Sequence, residues 1–201
     1  MKRSLGMTAL LLFSVLCINI RETEQNLETL EQGVIRLHVR AASDSLADQT
    51  QKLLVRDTVL AQTEEWLPSG GDYAESCAAL TDALPAIQLT AEETLRNAGC
   101  TEPVTVSFCE EAFPARSYGT VTLPAGNYQA LCIEIGSGEG QNWWCVMYPS
   151  LCLPAAETEE VLAESFDRDV CDLATQPEKY EIRLKCVDLW RAVVKKLRGD
   201  E

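Results

Sequence analysis

Side-chain alternation is the feature that most limits what this chain can become. In "VIRLHVRAA" (34–42), Ile35, Leu37 and Val39 fall on one parity, and Arg36, His38 and Arg40 on the other. Successive strand residues point to opposite faces, so this run predicts a half-buried strand. "PVTVSFCEE" (103–111) repeats the pattern with Val104, Val106 and Phe108. "SYGTVTLPAG" and "NYQALCIEIG" (127–136) read as further strand and turn, and "NWWCVMY" (142–148) as a strand entered through "GSGEGQ". The later strands are close in sequence, which favours antiparallel pairing. A sheet with one apolar face needs a second layer to cover it.

The intervening segments supply helices. "SDSLADQ" starts one: Ser45 can cap it, and Asp48 three residues on completes a capping box. Leu46, Leu53, Leu54, Leu60 and Ala61 recur at helical spacing towards Trp66, and Pro68 with Gly70-Gly71 ends the run. Residues 72–98 read as two helices or one kinked helix, since Pro85 lies inside. Gly99 suits the position after a helix end. Residues 157–174 are acidic and weakly helical, and 178–198 is a helix with an apolar stripe of Ile182, Cys186, Leu189, Trp190, Val193 and Leu197. The order predicts an α+β domain, a mostly antiparallel sheet with helices packed against it.

The amino terminus stands apart. Lys2 and Arg3 precede an uncharged stretch from Leu5 to Ile20, the layout of an export signal. It is short against the roughly 20 residues of a spanning helix, so both a cleaved signal peptide and a membrane anchor fit it. The division expected is residues 1–20 export segment, 21–33 polar spacer, 34–153 one α+β domain, and 154–201 an acidic segment and helix packing on that domain. A net charge of −14 argues against sequence-independent nucleic-acid binding and against adhesion to anionic lipid. Nine cysteines without a C-x-x-C pair, and a single histidine, lack the usual zinc spacing. No metal or cofactor is expected.

Three constellations bear on chemistry. His38 shares its parity with Arg36 and Arg40 and reads as an exposed strand histidine, with no nucleophile set beside it by spacing. Glu110, Glu111 and Glu134 could form a carboxylate pair for glycoside cleavage, but among 31 acidic residues such pairs are mostly solvated. "GSGEG" lacks the spacing of a phosphate loop and reads as a hairpin turn. "GQNWWCVMYPSLC" (140–152) reads as a structured loop: Trp143 and Trp144 point to opposite faces, and Cys145 and Cys152 flank Pro149 closely enough to pair. Arg116, Tyr118, Trp143, Trp144 and Tyr148 are the types that dominate binding hot spots.

"IRLHVRAASDSLADQTQKLLVRD" (35–57), "FPARSYG" (113–119) and "LPAGNYQALCIEIGSGEGQNWWCVMYPSLC" (123–152) together resemble the stage II sporulation protein R family of endospore-forming bacteria. The resemblance covers roughly residues 34–153 and departs from the family at Ala42, Cys132 and Ser150, where Asn, Arg and Pro are usual. It implies a protein made in the forespore and exported into the space between the septal membranes. There it would signal to a membrane-embedded aspartic protease that processes the precursor of the mother-cell sigma factor, sigma-E. The resemblance implies a non-enzymatic activator whose partner is that protease. The alternative from another class is a secreted cell-wall hydrolase using a carboxylate pair.

Overall fold

The computed structural model describes residues 2–149 and 155–198. The chain forms two compact units, residues 31–165 and residues 1–30 with 166–201. The larger unit is built on four strands: β1 (Ile35–Arg40), β2 (Val104–Phe113), β5 (Gly126–Ile135) and β6 (Asn142–Tyr148), in the order β2-β5-β1-β6. A short hairpin, β3 (Arg116–Tyr118) and β4 (Val121–Leu123), lies between β2 and β5 in sequence. β2–β5 and β1–β6 pair antiparallel and β1–β5 parallel, so the fold is α+β with a mostly antiparallel sheet, as expected.

One pairing differs from expectation. β5 and β6 are not neighbours, because β1 lies between them. The turn joining them wraps the end of β1 instead. Gly140 N–H donates to the Ala41 carbonyl at 2.8 Å, and the Ser137 hydroxyl to the Ala42 carbonyl at 2.9 Å. Gln141 N–H donates to the Asp44 carboxylate at 2.8 Å. The "AASDS" run and the "GSGEGQ" turn are thus two halves of one clasp, which holds the non-local β1 in register.

Helices α2 (Leu46–Ala61) and α4 (Tyr73–Asn97) cover the apolar face of the sheet. Val55 and Val59 of α2, with Leu80, Ile87, Ala91 and Leu95 of α4, pack on Ile35, Leu37, Val39, Leu131, Ile133 and Ile135. Burying each such aliphatic side chain contributes about 1.5–3 kcal/mol. The buried stripe of α2 is centred on Val55 and Val59, whereas Leu46, Leu53 and Leu54, expected to face inward, are exposed. Lys52 explains the rotation: it is buried on the same helix, with Nζ donating to the Gln141 carbonyl at 2.9 Å, which aims its side at the clasp. Ser45 caps α2 by accepting from Asp48 N–H, but the Asp48 carboxylate turns to the Ser43 hydroxyl, so the box stays half closed. A complete box forms on α4 between Asp72 and Glu75.

α4 is a single helix through Pro85, held by buried residues on both sides of the proline. Its Gln88 bonds β2, with the side-chain amide donating to the Val104 carbonyl at 2.6 Å and accepting from Val106 N–H at 2.9 Å. These bonds occupy the first part of the free backbone edge of β2, an edge that could otherwise be offered to another chain. A short helix α3 (Thr63–Trp66) links α2 to α4, and α5 (Ala155–Ser165) completes the unit.

The smaller unit contains most of α1 (Lys2–Gly33), with α6 (Arg168–Thr175) and α7 (Pro177–Arg198). Residues 21–33, read from sequence as a spacer, are the second half of α1. Thr23, Leu27 and Leu30 are buried there at i, i+4 and i+7, a stripe hidden among acids. Among the described residues no helix is long and apolar enough to cross a membrane. Among the described residues of α7, Tyr180 and Val187, two turns apart, are buried, while Ile182, Leu189, Trp190 and Leu197 of the expected stripe are more than half exposed. Leu189 and Trp190 line, with Cys17, Ile20 and Cys186, a cavity of about 720 Å³.

The clasp generates a stability prediction. A Cβ added at Gly140 would fall on the Ser43 carbonyl and lie 2.9 Å from that of Ala41, both backbone atoms that cannot swing aside. Gly140→Ala is expected to lower the unfolding free energy by about 1–3 kcal/mol. An unchanged midpoint in urea would mean that the clasp yields without cost.

Candidate functional site

The face of the sheet opposite the helices carries the site. Register places Arg36, His38 and Arg40 of β1 beside Ala130, Cys132 and Glu134 of β5, and beside Val146, Trp144 and Asn142 of β6. β2 adds Cys109, Glu111 and Phe113 beside Ala130, Tyr128 and Gly126 of β5. Arg36 and His38 are 0% and 2% exposed. The expectation of an exposed strand histidine is therefore overturned: β1 is a central strand, and both of its faces are covered.

Burial forces each polar group to find a partner, and the face divides into two halves by how it does so. At one end Arg36 lies among rings, its guanidinium 4.3 Å from the Phe113 centroid, 5.0 Å from Tyr128 and 5.5 Å from Tyr118. Nη2 donates to the Tyr118 hydroxyl at 2.6 Å and Nε to the Cys145 carbonyl at 3.2 Å. Nη1 is buried with no hydrogen-bond partner. Burial pushes the Arg36 pKa below its ordinary value, while Tyr118 and Tyr128 draw it back. A desolvated guanidinium over several ring faces gains a cation–π attraction of about 2 kcal/mol.

At the other end the partners are ionic. His38 Nδ1 stands 2.8 Å from Glu111 Oε2 and Nε2 2.8 Å from Asn142 Oδ1, with its ring stacked on Trp144 at 3.7 Å. Arg40 bridges two carboxylates, donating to Glu134 at 2.6 Å and to Glu111 Oε1. The Cys132 thiol donates to Glu111 Oε2 at 3.0 Å. Burial opposes the charge on Glu111, but hydrogen bonds from Cys132 and His38, with the charges of His38 and Arg40, hold it below the usual carboxylate range. Burial and the Glu111 carboxylate push the Cys132 thiol up, away from nucleophilic thiolate.

The binding residues expected from sequence separate here. Arg116 and Tyr118 on β3, with Trp144 on β6, come together on the polar face, where the Arg116 guanidinium lies 5.9 Å from the Trp144 ring. Trp143 and Tyr148 lie on the helix side, against the hydrophobic core. Arg56 covers Trp143 at 4.1 Å, and Tyr73 lies 6.3 Å from Tyr148. Cys145 is buried there and disulfide-bonded. Cys152 lies outside the described residues. Glu110 is exposed, and only Glu111 and Glu134 of the weighed carboxylates enter the network.

The family model described as stage II sporulation protein R matches residues 31–158, nearly the span of the larger unit. The chain is 31% identical over 165 residues to stage II sporulation protein R of Bacillus subtilis (strain 168), covering 82% of this chain and 74% of that protein. This chain belongs to the stage II sporulation protein R family. No solved structure matches it. Membership gives it a role in sporulation, in a family named for that process and not for an enzyme activity. In this member of the stage II sporulation protein R family, the three sequence blocks that carry the resemblance meet in the larger unit: the first supplies β1 and the third β5 and β6 of the four-stranded sheet, and the second supplies β3 of the hairpin, whose Tyr118 hydroxyl accepts from Arg36 of β1.

Sequence reasoning missed Arg36, Phe113 and Tyr128 as site residues. A signal for Arg36 was present: three charged or ionisable residues alternate on a strand whose opposite parity is wholly aliphatic. Nothing local marked Phe113 and Tyr128, which meet Arg36 only through the β2–β5–β1 register.

Arg36 tests this half of the face. Arg36→Lys keeps the charge but loses the planar stack and the bond from Nε to Cys145. It is expected to cost about 1–3 kcal/mol of stability. Equal urea midpoints for the two proteins would show that charge alone is what the rings hold.

Proposed function

We propose that this chain is an exported sporulation signal that activates a membrane-embedded aspartic protease, the one that removes the pro-sequence from the precursor of sigma-E. Export through the amino-terminal segment would deliver it to the space between forespore and mother-cell membranes, free or held by residues 5–20. Family membership supports the sporulation setting. The observation that carries the activator reading is the patch of Arg116 and Tyr118 on β3 with Trp144 on β6, within the larger unit. Arginine and aromatic anchors on preorganised backbone lose little entropy on binding, so a few can supply most of an interface's affinity.

A cell-wall hydrolase fits this face poorly. Glycoside cleavage needs one carboxyl group held protonated as the general acid. Glu111 and Glu134 share Arg40, and Glu111 is held in its ionised form. In the activator reading Cys145 pairs with Cys152, which ties the end of β6 to the segment beyond Pro149.

The test is precursor cleavage in a spore-forming bacterium that lacks its own family member and carries this chain instead. Arg116→Ala and Trp144→Ala are each expected to reduce processing at least ~10-fold, with export and circular dichroism unchanged. Glu110→Ala, at an exposed acid outside the network, should process normally. Full processing by both of the first two variants would remove the patch from the interface. Loss of activity with Glu134→Gln alone, together with release of wall fragments by the wild type, would restore the hydrolase.

A further inference from the structure

The activator reading leaves the ionic end of the polar face without a task. His38, Cys132 and Glu111 stand there on adjacent strands β1, β5 and β2, one nitrogen, one sulfur and one oxygen all within 4.8 Å of one another. Asn142 Oδ1 accepts only, so its 2.8 Å contact puts a hydrogen on His38 Nε2. Arg40 Nε also approaches Nε2, but at 3.4 Å it is too long to compete. Nδ1 then faces Glu111 Oε2 at 2.8 Å, and Cys132 Sγ faces the same oxygen at 3.0 Å. Each contact carries a hydrogen, and one carboxylate oxygen has lone pairs for both, so Glu111 Oε2 is the point at which an imidazole nitrogen and a thiol sulfur already meet.

We propose that His38 Nδ1, Glu111 Oε2 and Cys132 Sγ bind a divalent transition-metal ion of the zinc class, which replaces those two hydrogens. An imidazole nitrogen, a thiolate and a carboxylate form a donor set for borderline-soft ions, and exclude magnesium and calcium, which take oxygen. Metal–ligand bonds of about 2.0–2.3 Å separate tetrahedral donor atoms by roughly 3.3–3.6 Å. The two short contacts therefore open by about half an ångström, which the Glu111 side chain, 18% exposed, can supply. The outer shell is already in place: Asn142 holds the other imidazole nitrogen, and Arg40 holds the other oxygen of Glu111. Charge also balances. With Cys132 as thiolate, Glu111 and Glu134 against Arg40 leave two negative charges, matched by one dication. The fourth position falls to solvent water. Cys109, exposed and hydrogen-bonded to Cys132, offers the competing fate, a disulfide that would consume a ligand. The site stands on this geometry and does not rest on the activator reading.

The test uses full-length protein purified in detergent, reduced and stripped of metal. One equivalent of Co²⁺ should produce a near-ultraviolet thiolate-to-metal band with the intense visible absorption of a tetrahedral ion. Cys132→Ser should abolish the thiolate band, and Cys109→Ser should leave it unchanged. His38→Gln and Glu111→Gln should each weaken Zn²⁺ binding at least ~10-fold in competition with a chelator. Zn²⁺ should raise the Tm of the wild type and not of His38→Gln, a readout that stands even where Cys132→Ser fails to fold. The proposal is overturned by a wild type without the band or the Tm rise. A band that survives Cys132→Ser overturns it too, since another thiol is then the ligand. So does a Cys109–Cys132 disulfide found by peptide mapping of the exported protein.

Discussion

Placing β1 between a parallel and an antiparallel neighbour is the constraint from which the rest follows. A strand in the middle of a sheet has no backbone edge to spare, and here it has no open face either. Its apolar parity meets α2 and α4 as an ordinary core. Its other parity carries Arg36 and His38 into a place where water cannot satisfy them, and Arg40 to the half-buried margin. An unpaired charge there would cost several kcal/mol, so the neighbouring strands must arrive with partners in register. β2 brings Phe113 and Glu111, β5 brings Tyr128, Cys132 and Glu134, and β6 brings Trp144 and Asn142. A slip by one residue would send every one of them to the other face. The polar face therefore specifies register as firmly as the hydrophobic core does.

The elements themselves were legible because they depend on local period and punctuation. Strand alternation located β1, β2, β5 and β6, and Ser45, Pro68 and Gly99 bounded helices within a few residues. What was not legible is set by long-range pairing. Nothing near residues 34–42 says that this strand will enter between two strands about a hundred residues later, so Arg36 and His38 read as solvent-facing. The same gap explains α2 and α7. Several leucines on each suggested an inward face, but burial follows where the helix lies, and on α2 the bond from Lys52 to the clasp fixes the rotation. Three of the five expected binding residues were brought together for the same reason that the other two were not. Trp143 and Trp144 take opposite faces, as strand geometry requires, and only Trp144 shares a face with Arg116.

The two ends of the polar face answer the burial of positive charge in different ways, and the difference bears on what each end can do. Around Arg36 the partners are rings and a phenol, which neither carry charge nor exchange protons readily. That end is a permanent fixture that ties the β3–β4 hairpin to the sheet through Tyr118. Around Arg40 and His38 the partners are carboxylates and a thiol, whose charges can be rebalanced by a proton or a cation. Arg116 and Trp144 stand where the two ends meet, Trp144 stacked on His38 and packed at 4.7 Å on Phe113. Any change of charge at the ionic end is thus felt directly by the ring that the patch presents. The aromatic end, through Phe113, keeps that ring from moving away. A surface that is read by a protein partner gains from this arrangement: its anchors are held by rigid strands, so binding costs little ordering. Its positive groups are also set into a body carrying a net charge of −14, so a partner that complements the patch meets repulsion wherever else it touches an acidic surface.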